Sequence, residues 1–214
     1  MKRLLGILVL LIFSREGFSQ NYFGYVTVTG GADIVTAART AGNGSYVTGF
    51  TSPGSGATTW TVVELSGYIR SRGGISGRVR LGLYDAAGTT LVCEGTNYLS
   101  IANTETDYAW KGHIGVETVK AAGGVSPCTI TGGTVYKIGI TFNNTALEHY
   151  RVSGATSGFW TYDGTDNTAG MPAAIPADSA STYYYTTRCG VVQVGVGAAR
   201  RPFSLAFPPE ISNP

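Results

Sequence analysis

Between Trp60 and Gly95 the chain alternates apolar and polar side chains at period two, as strands half-buried against a second layer do. Val63, Leu65 and Ile69, then Val79, Leu81 and Leu83, fall on one face, while Trp60, Glu64, Tyr68, Arg78, Arg80 and Tyr84 fall on the other. Arg72-Gly73-Gly74 separates the two stretches, so they are expected to pair as a hairpin, Ile69 against Val79 and Leu65 against Leu83. That register sets Tyr68 opposite Arg80 and Glu64 opposite Tyr84 on a solvent-facing surface. A one-residue slip would bury Arg80 and is disfavoured by the cost of desolvating a charge. The same period recurs in VYKIGITF, with Tyr136, Ile138, Ile140 and Phe142 inward and Lys137 outward, and in Val192, Val194 and Val196 near the end.

Strand signals bounded by turn residues cover 22–29, 45–51, 58–71, 78–85, 90–95, 108–116, 134–142, 149–153, 159–162, 182–187 and 190–197. Short strands at this spacing predict an all-β fold, an antiparallel β-sandwich or jelly roll with about 9 to 11 strands. Only 32–40 has any helical character. Glycine marks the turns at Gly73-Gly74, Gly88, Gly123-Gly124, Gly132-Gly133 and Gly164, where a positive φ carries no steric cost. The 31 glycines and 13 tyrosines, against two methionines and 13% charged residues, favour strands and turns over helices.

Lys2 and Arg3 precede an apolar run from Leu4 to Phe13, about the length of a signal-peptide core and too short to span a bilayer. Residues 1–19 are read as a leader cut after Gly17-Phe18-Ser19, with an uncleaved anchor as the alternative. Residues 20–199 then form one β-sandwich domain, and 200–214 a proline-rich arm around Phe203, Leu205 and Phe207. Of the 15 basic and 13 acidic residues, the leader holds three and one, leaving 12 of each. Near-neutrality without basic clusters gives little attraction for nucleic acid or an anionic membrane, and neither is expected as a partner. Cys93, Cys128 and Cys189 would then lie in an oxidising, extracellular compartment. Cys93 with Cys128 is the candidate disulfide, since each ends a predicted strand, though sequence alone leaves the pairing open.

His113 and His149 are the only imidazoles, and neither stands in a metal-ligand spacing. No GxSxG elbow or phosphate-binding glycine loop occurs in a strand-to-helix setting, and no catalytic residue is assigned. Glu64, Glu94, Glu117 and Glu148 are scattered one per strand, and a glycosidase pair would have to be assembled by the fold. Glu64 is the one nominated carboxylate, because it shares a face with Trp60 and Tyr68. Aromatic faces suit pyranose C–H surfaces and polar neighbours suit hydroxyls. The candidate ligand-binding residues are therefore Trp60, Glu64, Tyr68, Arg80 and Tyr84, together with Trp160, Tyr162, Asp163, Asp166 and Asn167. Trp110 is assigned to the core. Asp163, Asp166 and Asn167 concentrate hard oxygen donors and are the candidate Ca²⁺ site, but they lack the alternation and closing glutamate of an EF-hand. No other cofactor is expected. Asn43 and Asn143 stand in N-glycosylation sequons.

GRVRLGLYDAAGTTLVCEG resembles the "VRLGIYD" strand, glycine turn and second strand of secreted bacterial, archaeal and phage β-sandwich modules. FGYVTVTGG, FTSPGSGATTWTVVELSGYI and TGGTVYKIGITF fit the same layout, so the likeness spans most of residues 22–145. These modules are similar to carbohydrate-binding and adhesin domains, and the resemblance implies no particular ligand residue. The expectation is a secreted, non-catalytic module that recognises polysaccharide or cell-surface glycan through exposed aromatics. The alternatives are a structural subunit that self-assembles by edge-strand or arm exchange into a surface layer or filament, and a glycan-active hydrolase.

Overall fold

The computed structural model describes residues 20–24, 34–36, 44–72, 75–125, 127–143, 147–162, 170–175 and 180–194. Residues 1–19, read as a leader, residues 200–214, read as a proline-rich arm, and the candidate Ca²⁺ residues Asp163, Asp166 and Asn167 lie outside them. The described residues form fourteen strands and no helix: β1 (Asn21–Gly24), β2 (Ile34–Thr36), β3 (Gly44–Thr51), β4 (Thr59–Ser71), β5 (Gly77–Tyr84), β6 (Leu91–Gly95), β7 (Leu99–Ile101), β8 (Ala109–Ile114), β9 (Val119–Ala121), β10 (Thr129–Thr131), β11 (Val135–Phe142), β12 (Leu147–Tyr162), β13 (Ala180–Tyr185) and β14 (Thr187–Gln193). The all-β, antiparallel expectation holds, with a few more strands than expected. The segment expected to have helical character holds β2.

Two sheets pack on a shared core. In the first, β1 borders β14, β14 borders β4, and the far edge of β4 takes β10 and β8. In the second, the order runs β12, β3, β11, β5, β6, β9, with β7 on the β6 side of β5 and β13 on β12. The 16-residue β12 belongs to both: Leu147 to His149 pair with β4, and Gly158 to Tyr162 pair with β3. At the hand-over, Tyr68 N–H donates to Thr186 O at 3.0 Å and Thr186 N–H donates to Tyr150 O at 3.1 Å. One edge of β4 is thus served first by β14 and then by β12.

This arrangement overturns the hairpin between β4 and β5. Both edges of β4 are occupied by other strands, and β5 pairs with β11, β6 and β7 in the opposite sheet. Tyr68 therefore does not face Arg80, nor Glu64 Tyr84. Alternation in β5 and β11 is as expected: Val79, Leu81, Leu83, Tyr136, Ile138, Ile140 and Phe142 are buried in the core. In β4 it is interrupted. Gly190 pairs with Glu64 but Val191 pairs with Val62, so Val63 is an extra residue, a β-bulge. The bulge puts Trp60 and Val62 in the core along with Leu65 and Ile69, and Val63 outside it. In β14 the inward residues are Cys189 and Val191, whereas Val194 is exposed, opposite to the expected phase.

Cys93 on β6 and Cys128, next to β10, form the disulfide, with Cα atoms 5.9 Å apart. It staples one sheet to the other. Cys189 is a buried free thiol. The turn after β5 is closed by Asp85, which accepts from Thr89 N–H at 2.8 Å and Thr90 N–H at 3.2 Å, with Gly88 at φ 80°.

Candidate functional site

The outward residues of β4 below the bulge are Glu64, Ser66, Tyr68 and Arg70, and neighbouring strands supply what surrounds them. In the β4–β8 register Trp110 stands opposite Tyr68, so both rings project from the same face. Trp110 is half-buried on this surface and not in the core, because the inward positions of β8 fall at the other phase, where His113 faces Leu65. Tyr22 comes from β1, Arg188 from β14, Tyr108 from the segment before β8, and Glu148 and Tyr150 from β12.

The rings form a connected row. Tyr68 stacks on Tyr108 with centroids 5.6 Å apart, meets Trp110 at 5.5 Å and meets Tyr150 edge-on at 5.7 Å. Tyr108 and Tyr150 are 5.2 Å apart. Arg188 places its guanidinium 4.3 Å from the Trp110 centroid and 4.7 Å from Tyr22, and Arg70 lies 4.5 Å from Tyr108. Cation–π contacts of this kind contribute about 0.5–2 kcal/mol each. Tyr22, Tyr68, Tyr108, Trp110 and Tyr150 are all partly exposed.

Beneath the row, two carboxylates fix the arginines. Glu64 Oε1 accepts from Arg188 Nε at 2.9 Å and Nη2 at 2.8 Å and from Ser66 Oγ at 2.7 Å. Its Oε2 accepts from Tyr22 Oη at 3.1 Å and Gln20 Nε2 at 3.2 Å. Burial alone would raise the Glu64 carboxyl pKa. The hydrogen bonds from Ser66, Arg188 and Tyr22, with the charge of Arg188, outweigh burial and hold it below the ordinary carboxylate range. Glu148, also buried, accepts from Arg70 Nε at 2.7 Å and Tyr108 Oη at 3.2 Å and lies 3.4 Å from Arg72 Nε. Burial, and then the Glu148 charge, push the Tyr108 hydroxyl pKa up, so it remains a neutral donor.

Glu64 and Glu148 cannot act as a glycosidase pair. Glu148 is registered with Arg70, six residues along β4 from Glu64, a separation of roughly 20 Å at about 3.3 Å per residue. Acid and base in such enzymes stand about 5–9.5 Å apart. Both carboxylates are engaged by guanidinium groups, and their chemistry here is to hold cations in place.

The remaining candidates are dispersed, and the exposed surface expected of Trp60, Glu64, Arg80 and Tyr84 is not formed. Trp60 is in the core, its Nε1 donating to Pro53 O at 2.8 Å, because the bulge reverses its side. Glu64 faces outward but is buried beneath its partners. Arg80 and Tyr84 project from the outer face of the second sheet, as their alternation requires, yet both are buried. Arg80 is neutralised by Glu94 at 3.1 Å, and Tyr84 is covered by Met171 and Ile175, its hydroxyl donating to Pro172 O at 2.9 Å. Trp160 and Tyr162 lie on the end of β12 that pairs with β3. Among the described residues no group of three His, Cys, Asp or Glu side chains is placed to hold a metal ion.

Of the nominated patch, only Tyr68 reaches the row with its ring partly exposed, supported by Glu64. Arg70, Tyr108, Tyr150 and Arg188 were not singled out in the sequence, Glu148 entered only as one of four scattered carboxylates, and Tyr22 only as part of a strand. Arg188 carried one local signal: it sits between Thr187 and Cys189, both buried, so a strand there must turn it outward. No protein-family model matches this chain, and no curated protein matches it either.

Proposed function

We propose that this chain is an extracellular, non-catalytic binding module that holds polysaccharide or cell-surface glycan along the outer face of its first sheet. The observation that carries the reading is the row of partly exposed rings, Tyr22, Trp110, Tyr68, Tyr108 and Tyr150, interleaved with the immobilised guanidiniums of Arg188 and Arg70. Aromatic rings offer apolar surface to sugar C–H groups, and guanidinium and phenol donors serve hydroxyls. The row follows β4 for roughly 20 Å, a length that suits an extended chain better than a single ring. Each arginine is held by a buried carboxylate and an aromatic face, so ordering it on binding costs little side-chain entropy.

Affinity chromatography of the mature chain on a panel of neutral polysaccharides tests this. Retention on at least one is expected, falling about tenfold or more in Trp110→Ala and in Tyr68→Ala while far-UV circular dichroism stays unchanged. Retention that survives both substitutions, or no retention on any matrix, overturns the reading.

A further inference from the structure

The outer face of the second sheet, opposite the aromatic row, holds a cavity of about 300 Å³ lined by Arg80, Glu94, Thr96, Lys120 and Gly124. That volume is at the lower end of small-molecule sites, about 300–1,000 Å³, and accommodates one sugar ring or a body of similar size. Its floor is rigid. The Arg80 side chain is only 8% exposed and is fixed by Glu94 Oε2 at 3.1 Å and by Thr96 O at 3.3 Å. Glu94 Oε2 also accepts Met171 N–H at 3.2 Å, tying the floor to the 170–175 segment.

The charges do not balance. Lys120 is the register partner of Glu94 across β6 and β9, yet Glu94 is engaged by Arg80, and Lys120 has no ion-pair partner among the described residues. Among the described residues that line the cavity, two cations and one carboxylate leave one net positive charge, carried by a partly exposed ammonium at the cavity wall. Gly124, at φ 85°, contributes bare backbone with open space where a side chain would stand, which keeps that wall accessible.

We propose that this cavity binds a sugar residue bearing a single carboxylate, as in a uronic acid, with Lys120 pairing with the carboxylate and Glu94 and Thr96 available to the hydroxyls. The choice of a sugar as carrier of the carboxylate rests on the glycan-binding reading above; the anion site itself rests on the cavity and its charge. One uncompensated ammonium matches a monoanion, and a phosphate dianion would be left half-neutralised.

The test is a nuclear magnetic resonance titration of the mature protein with a galacturonic acid trimer, the neutral galactose trimer, acetate and sulfate. The uronate is expected to shift the Thr96, Lys120 and Gly124 amides, and raised salt should weaken it. Lys120→Ala should lower uronate affinity at least tenfold and Lys120→Glu should abolish it, while Lys120→Arg retains most of it. Because Lys120 is a partly exposed side chain, these variants are expected to fold. Trp110→Ala should leave uronate binding intact, so failure of the aromatic row and failure of this cavity are read separately. Equal binding of the neutral trimer, or undiminished uronate binding in Lys120→Glu, overturns the proposal. Acetate or sulfate binding as tightly as the uronate overturns the sugar assignment.

Discussion

Arg188 is held by two aromatic faces, a carboxylate and a serine hydroxyl, the last accepting from its Nε at 3.1 Å. Glu64, whose side chain is 4% exposed, depends on that guanidinium for compensation. Removing one partner of such a pair leaves a buried charge with fewer donors, which typically costs about 3–5 kcal/mol, whereas replacing both can be nearly neutral. Arg188→Met is therefore expected to lower unfolding stability by about 3 kcal/mol in urea denaturation, and Arg188→Met combined with Glu64→Gln to recover more than half of the loss. Equal stability of Arg188→Met and the unsubstituted protein would show that the pair contributes nothing to the fold. In glycan binding both variants should be weakened, because each removes the cation that fills the gap between Tyr22 and Trp110.

At the scale of the element, the disulfide has a consequence of its own. Cys93 and Cys128 close a loop with a sequence separation of 35 and join strands of opposite sheets, so reduction should lower stability by about 3–4 kcal/mol, measured by thermal melts with and without reductant. The sequence offered this pairing as a candidate and left it open; the structure forms it, with Cys93 in the middle of β6 and Cys128 just before β10. The inward faces of β5 and β11 were legible, since neither strand is interrupted within the stretch that forms the core. Trp60 was not: one unpaired residue at Val63 changes which side of the sheet every residue before it faces, and nothing in WTVVEL marks the bulge. The pairing of β4 with β5 failed for another reason. Local alternation states which residues face inward, and it is equally satisfied by a hairpin and by a chain that crosses to the opposite sheet. The aromatic row draws on β1, β4, β8, β12 and β14, and its neighbours are set by register between strands up to about 170 residues apart in sequence, from Tyr22 to Arg188. Trp110 and Tyr68 were visible singly as aromatics; their adjacency was not.

For the whole molecule, acid sensitivity follows from the two histidines. His149 is fully buried between Phe142 and Tyr185, and burial pushes its pKa down to about 3. His113 lies against Gly95, where a Cβ would collide with its ring. Burial first, and then the Arg80 charge, lower its pKa to about 4. Both values are below the unfolded value of about 6.5, so between these limits the unfolded chain binds more protons than the native one and stability rises with pH. Stability from these groups is complete above about pH 7 and is lost as pH falls below 6.5, each histidine contributing a slope of up to about 1.4 kcal/mol per unit. The carboxylates with lowered pKa, Glu64, Asp85 and Glu105, act in the same direction but only below about pH 4.5. Urea unfolding at pH 7.5, 6 and 5 should show a plateau followed by a fall that steepens toward about 2.7 kcal/mol per unit, twice the single-histidine slope; a flat profile over that range contradicts the burial of neutral imidazoles.

The strand shared by the sheets gives these faces a common fate. Because β12 pairs with β4 at one end and β3 at the other, with Thr186 bridging β4 and β12 at the hand-over, no line of separation runs between the two ladders. The two ladders are therefore expected to exchange as one unit, the Tyr68 and Thr186 amides matching those of the β3–β11 ladder in native-state hydrogen exchange. A ligand seated on either outer face would then be expected to slow exchange on the other without any change of shape passing between them.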